Sequence, residues 1–193
     1  MIFFLYLLAA YLVGSINFSI LLFKLLGKED PRHQFSGNPG VTNVYRQAGL
    51  GWAIIILILD TGKAIALALA ALHGVSPSEI PWMGFVLILG NRYPVFHQFK
   101  GGKGVANYLG FTAAISPMGA CLAAVSWGIT FWIARIPFIS SFFMVFFLAG
   151  ATILKWRDFP LAVMGSVLTF LFIIMNHRQN IKEFHKGKKS ITQ

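Results

Sequence analysis

The sequence predicts an all-α integral membrane protein of about seven transmembrane helices, with the N-terminus outside, the C-terminus cytoplasmic, and short helices flanking a glycine-rich loop. Three observations predict it. Mean hydropathy is +0.70, and 56% of the 193 residues are hydrophobic while only 11% are charged. The apolar residues come in long runs, as spanning helices require and soluble cores do not. Lys and Arg outnumber Asp and Glu by 16 to 6 and gather in alternate polar stretches, as cytoplasmic loops collect them. The size fits one domain over residues 1–193. Cys121 is the only cysteine, so the chain can form neither an intramolecular disulfide nor a cysteine metal cluster.

Taken in order, the first apolar segment is Ile2–Leu26. It lacks a basic start and is too long for a signal peptide, so it reads as a first span. In the polar stretch that follows, Asn38 reads as the N-cap of a short helix, Pro39 as its first residue and Gly49 as its stop. Thr42, Asn43 and Arg46 share a face of that helix by their spacing. Arg46 suits a bidentate grip on a phosphate or carboxylate there, or a lipid head group at the interface. Segment two, Trp52–His73, carries Asp60 and Lys63 three residues apart. Unpaired charges are costly at that depth, so the two are expected to pair inside the bundle, with a proton relay as the alternative.

Segments three and four, Ile80–Gly90 and Val105–Ile115, have 11 residues each. As helices they reach about 16 Å, half the hydrocarbon core. The polar loop between them ends in Lys100-Gly101-Gly102-Lys103-Gly104. Its glycines free the backbone so that N–H groups can converge, and a helix N-terminus follows at once, an arrangement suited to an anion. Met118–Ala134, Phe138–Leu154 and Pro160–Met175 complete the seven, with Ser140 and Ser141 early in the sixth facing the same cavity. His177 and Asn180 share a face where the last segment ends, and histidine is the side chain best suited to move a proton near neutral pH. Lys186, Lys188 and Lys189 are expected to lie on anionic lipid. With this topology, twelve Lys and Arg fall inside and only Lys155 and Arg157 outside.

Much chemistry is excluded. The P-loop pattern G-x-x-x-x-G-K-[ST] is absent, because Gly104-Val105 follows Lys103. There is no G-x-S-x-G and no clustered His or carboxylate at metal spacing, and carboxylates are too few for a magnesium–phosphate site. No cofactor, metal or nucleic acid is expected, nor an obligate protein partner. An enzyme built from these residues needs a substrate that arrives already activated. A small transporter or flippase for an anionic metabolite is the alternative, and a lipid-binding scaffold a third reading.

The motifs resemble those of the bacterial membrane acyl-phosphate:glycerol-3-phosphate acyltransferases of phospholipid synthesis. The resemblance rests on Gly14-Ser15-Ile16, on Ser36 through Gly40 with Thr42-Asn43-Val44 and Arg46, on Tyr93-Pro94-Val95-Phe96 with Phe99 through Ala106, and on His177-Arg178 with Asn180-Ile181; Asp60-x-x-Lys63 also fits. It implies transfer of an acyl chain from acyl phosphate to the 1-hydroxyl of glycerol 3-phosphate in the bacterial cytoplasmic membrane, with the site on the cytoplasmic side. The implied catalytic residues are His177, Asn180, Ser36 and Arg46. Gly37, Asn38, Thr42, Asn43, Lys100, Gly101, Gly102, Lys103, Gly104 and Ser141 would bind substrate. The chain departs from the family pattern at Asn91, usually His, at Asn107, usually small or Thr, at Asn17, usually Pro, and at Lys188 and Lys189, where glutamates usually follow Gly187. Neither Asn91 nor a glutamate role carries over.

Overall fold

The computed structural model describes residues 1–187, so Lys188 and Lys189 of the basic tail lie outside the described residues. Those residues form ten α-helices and one 3-10 turn, and no strand. In order they are α1 (Ile2–Ser15), α2 (Phe18–Leu25), α3 (Val41–Ala48), α4 (Leu50–Gly74), α5 (Ile80–Arg92), the turn Val95–His97, α6 (Val105–Ile115), α7 (Pro117–Ala134), α8 (Pro137–Lys155), α9 (Pro160–Asn176) and α10 (Arg178–His185). Three of them, α4, α7 and α8, are long and apolar enough to cross a bilayer alone. The pairs α1–α2 and α9–α10 pass the same test together, bent by 41° and 43°.

Two expectations change in detail. The first apolar segment is not one helix. It breaks at Ile16-Asn17, where the Asn17 side chain accepts from the Ile20 N–H at 3.1 Å and starts α2 as its N-cap. The short polar helix starts at Val41 with Gly40 as its cap, not at Asn38. The Gly40 N–H closes a tight turn on the Asn38 carbonyl at 2.8 Å, which keeps the chain out of helical geometry for two more residues. Gly49 does end that helix, at φ +88°.

Small residues set the packing. A methyl group on Gly14 would run into the Leu87 carbonyl, and one on Gly90 into the Tyr11 carbonyl, so α1 and α5 meet backbone to backbone. In lipid, such close approach supplies the dispersion contact that the hydrophobic effect does not. The short helix α6 sits in the middle, packed by α4, α7 and α8. One core cluster joins Leu67, Met83, Leu87 and Phe111. A second joins Ile88, Tyr108, Val145, Leu148 and Ile173. Outward faces carry bare apolar side chains such as Phe4, Ile58, Trp132 and Phe146. That is the inverse of a soluble protein and the surface a bilayer solvates.

Candidate active site

The polar stretches expected from sequence converge on one cavity of about 350 Å³. It lies where α3, the start of α6, the start of α8 and the junction of α9 with α10 meet. Ser36, Asn38, Thr42, Asn43, Arg46, Gly102, Lys103, Gly104, Ser141, His177 and Asn180 all line it. Ser140, expected beside Ser141, does not: it is buried, with its hydroxyl donating to the Ile136 carbonyl at 3.2 Å, and three loop residues also stay outside the lining. Lys100 is exposed, and its carbonyl accepts from Arg32 Nη1 at 3.0 Å. Gly37 is exposed in a turn at φ +63°. Gly101 is buried against Asn91 and Pro94. These three shape the loops that border the cavity.

The glycine loop is a bridge between two helix ends. The Gly101 N–H donates to the Arg92 carbonyl at 3.1 Å, and the Gly102 N–H to the Asn91 carbonyl at 3.0 Å. Both satisfy carbonyls left open at the end of α5. These two N–H groups are therefore unavailable to an anion. The donors that remain are the N–H groups of Lys103, of Gly104 and of the first turn of α6, which Gly104 starts at φ +90°. Only glycine holds that conformation without strain, and a side chain there would also strike Ile88. The unpaired N–H groups thus begin two residues further along the chain, at the positive end of α6.

Side chains reinforce it. Lys103 Nζ donates to Asn180 Oδ1, which ties the loop to α10. Asn176 Nδ2 donates to the Lys103 carbonyl at 3.4 Å. Burial, with help from Arg92 and Arg46 and against the pull of Glu183, pushes the Lys103 ammonium down to about 8. Arg46 pairs with no carboxylate among the described residues, so its guanidinium is available to a ligand. His177 is buried, and its Nδ1 lies 2.8 Å from the Ile173 carbonyl. A carbonyl can only accept, so Nδ1 carries the hydrogen and Nε2 is the acceptor of the neutral ring. The Phe142 ring holds the imidazole edge-on at 5.2 Å between centroids. Asn43 turns its amide nitrogen to the Pro31 carbonyl at 2.8 Å, leaving Oδ1 without a partner.

The same lining carries apolar side chains, among them Leu57 of α4, Leu109 of α6, Ala124 and Trp127 of α7, and Met144 of α8. One cavity therefore offers both cations with helix-terminal N–H groups and a hydrocarbon surface. It suits a molecule with an anionic head and an acyl tail. Residues 4–187 match the family model described as glycerol-3-phosphate acyltransferase.

The chain belongs to the glycerol-3-phosphate acyltransferase family.

Curated relatives of that name include one from Pseudomonas fluorescens strain Pf-5, 36% identical over 93% of this chain and 94% of the relative. Another, from Pseudomonas entomophila L48, is 36% identical over 94% and 95%. A crystal structure of PlsY (YgiH), an integral membrane glycerol 3-phosphate acyltransferase, in its glycerol 3-phosphate form, superposes with a TM-score of 0.87 at 32% identity. It covers 96% of this chain and 93% of that one. The lysophosphatidic acid form of the same enzyme gives 0.84 over the same shares. This acyltransferase is a multi-pass membrane protein, as its motifs and its apolar helices both required.

Several residues to which the sequence assigned no role also build the candidate site. Arg32 is one. Its Nε and Nη2 grip the Asp30 carboxylate, and its Nη1 donates to the carbonyls of His97 and Lys100, both at 3.0 Å. It clamps the back of the glycine loop, and its guanidinium holds the Asp30 carboxyl below the ordinary range. The Asp30-Pro31-Arg32 spacing was the available signal. Asn91 and Asn107 also line the cavity, and Asn107 Nδ2 donates to Asn91 Oδ1 at 2.9 Å. Two departures from the family pattern thus contact each other. No group of three His, Cys, Asp or Glu side chains able to hold a metal occurs among the described residues.

Proposed function

We propose that this acyltransferase moves an acyl chain from acyl phosphate to the 1-hydroxyl of glycerol 3-phosphate, giving 1-acyl-glycerol 3-phosphate and phosphate, the first acylation of phospholipid synthesis. The observation that carries the reading is the mixed lining of the cavity, in which Arg46, Lys103 and the start of α6 share one space with apolar side chains. An acyl phosphate is a mixed anhydride, so neither a covalent enzyme intermediate nor a metal is required. The hydroxyl oxygen bonds to the acyl carbon, the acyl–oxygen bond to phosphate breaks, and the hydroxyl proton leaves with a base. The protein's task is to hold two phosphates together and aim one hydroxyl, which is proximity and electrostatic catalysis.

In this mechanism Lys103 and the start of α6 hold the glycerol phosphate, and Arg46 with Ser36 steadies the donor phosphate. His177 Nε2 accepts the hydrogen of the attacking hydroxyl. Asn180 orients Lys103 through its oxygen and offers its amide hydrogens to the substrates. Asn38, Thr42, Asn43 and Ser141 complete the polar rim. The donor's acyl chain lies along Leu109 and Trp127.

The reading places seven spans in the bacterial cytoplasmic membrane, with α5 and α6 as two short ones, the N-terminus outside and the site facing the cytoplasm. The distribution of Lys and Arg supports that orientation. Transport of an anionic metabolite would not call for the apolar lining that Leu57, Leu109, Trp127 and Met144 supply. The test is purified protein in detergent with palmitoyl phosphate and glycerol 3-phosphate. Release of phosphate with formation of 1-palmitoyl-glycerol 3-phosphate is expected, and palmitoyl-CoA is expected not to substitute. A phosphate release rate no higher than the uncatalysed one would overturn the proposal.

A further inference from the structure

Asp60 is the one carboxylate, among the described residues, that lines the cavity. Its placement calls for an explanation, because a negative charge beside a seat for two phosphates opposes their binding. Its neighbour Lys63 accounts for only half of the pair. The break between α1 and α2 leaves the Ile16 carbonyl without a helical partner, and Lys63 Nζ donates to it while sitting 5.3 Å from the centre of the Phe18 ring. The lysine thus has a structural duty of its own. Asp60 balances its charge, with Oδ1 at 2.8 Å from Nζ and shut away from solvent. A charge balance does not require the carboxylate to border the cavity. It does so on a rigid helix, on the same face as Leu57 one turn earlier.

A carboxylate only accepts hydrogen bonds. An ionised acyl phosphate has no donor to give it. Glycerol 3-phosphate brings two hydroxyls, and the 1-hydroxyl is directed to His177. We propose that Asp60 accepts a hydrogen bond from the 2-hydroxyl of the acceptor through its second oxygen, Oδ2, with Lys63 holding the carboxylate charge-balanced and fixed. The inference rests on the acyltransferase reading and adds to it the group that recognises the glycerol backbone. The acceptor then lies with its phosphate on the α6 side of the cavity and its middle carbon toward α4. A buried acceptor left unpaired penalises an analogue that lacks the hydroxyl, which is the strongest form of discrimination such a site can offer.

The test compares glycerol 3-phosphate with 3-hydroxypropyl phosphate, which keeps the primary hydroxyl and the phosphate but lacks the 2-hydroxyl. The wild-type enzyme is expected to prefer glycerol 3-phosphate by more than about tenfold in kcat/KM. The double variant Asp60→Leu with Lys63→Met removes the acceptor and both charges together, so no buried charge is stranded. It is expected to stay folded, with a melting temperature lowered by loss of the Lys63 donor to the Ile16 carbonyl, yet to lose most of that preference. Equal use of the two acceptors by the wild type would overturn the proposal without any variant. So would a folded double variant that keeps the wild-type preference, since the pair would then be structural only. Failure of the wild type to turn over glycerol 3-phosphate at all would instead overturn the underlying reading of the reaction.

Discussion

At the scale of single residues, the site is tuned through Lys103 and His177. Burial lowers the Lys103 pKa to about 8, so its charge is present below that pH and is lost as pH rises through it. The second ionisation of a phosphate monoester lies near pH 6. A dianionic acceptor and a charged lysine therefore coexist between about pH 6 and 8. The kcat/KM for glycerol 3-phosphate is expected to fall above about pH 8, and Lys103→Arg, which stays charged, to move that fall upward. A pH–rate profile of both proteins checks this, and an alkaline limb in the same place in both would assign it to another group. Lys103→Ala is expected to cost about ten- to a hundredfold in kcat/KM, the worth of one charge-assisted hydrogen bond. For His177→Gln, a side chain that takes up no proton, kcat is expected to drop by about a hundredfold. Activity that survives with an unchanged profile would leave the proton to the donor's phosphate.

At the scale of elements, the glycine loop is legible in part. Its composition announces an anion site, and its place between two half-length segments is plain. What composition does not reveal is which N–H groups are already used, because that depends on where α5 ends. The carbonyls of Asn91 and Arg92 take Gly102 and Gly101, and the seat passes to Gly104 and the helix it opens. Gly104→Ala combines a left-handed backbone with a collision against Ile88. We expect it to raise KM for glycerol 3-phosphate by about tenfold or more, from strain on the order of 1–3 kcal/mol. Gly101→Ala, away from the cavity, would act through folding yield instead, as thermal melts would register. Helix α3 was similarly half-readable. Its stop at Gly49 and its shared face of Thr42, Asn43 and Arg46 follow from the spacing. Its start does not, because the turn at Asn38–Gly40 is a local hydrogen-bond choice that the Asn-Pro pair leaves open. The Asn17 cap that divides α1 from α2 was hidden in the same way, inside an otherwise unbroken apolar run.

At the scale of the whole molecule, the charge distribution is a statement about orientation. Single cysteines placed in the 28–50 stretch and beside Lys155 are expected to react with membrane-impermeant maleimide from opposite sides in inverted and right-side-out vesicles. Labelling of both from one side would contradict the seven-span arrangement. Cys121, exposed on α7, must be replaced first. The short reach of α5 and α6 bears on how the protein is made. Neither helix, at 13 residues for α5 and 11 for α6 against the roughly 20 of an ordinary span, carries a full insertion signal of its own. Each must be retained by partners already in the membrane, α1 for α5 and α4 for α6. The anion seat, which needs the end of one and the start of the other in register, is then among the last features to form as the chain leaves the ribosome. A mutation that weakens the Gly14–Gly90 contact would accordingly appear first as failed integration, with proteolysis of the 91–104 loop, and only afterwards as lost catalysis.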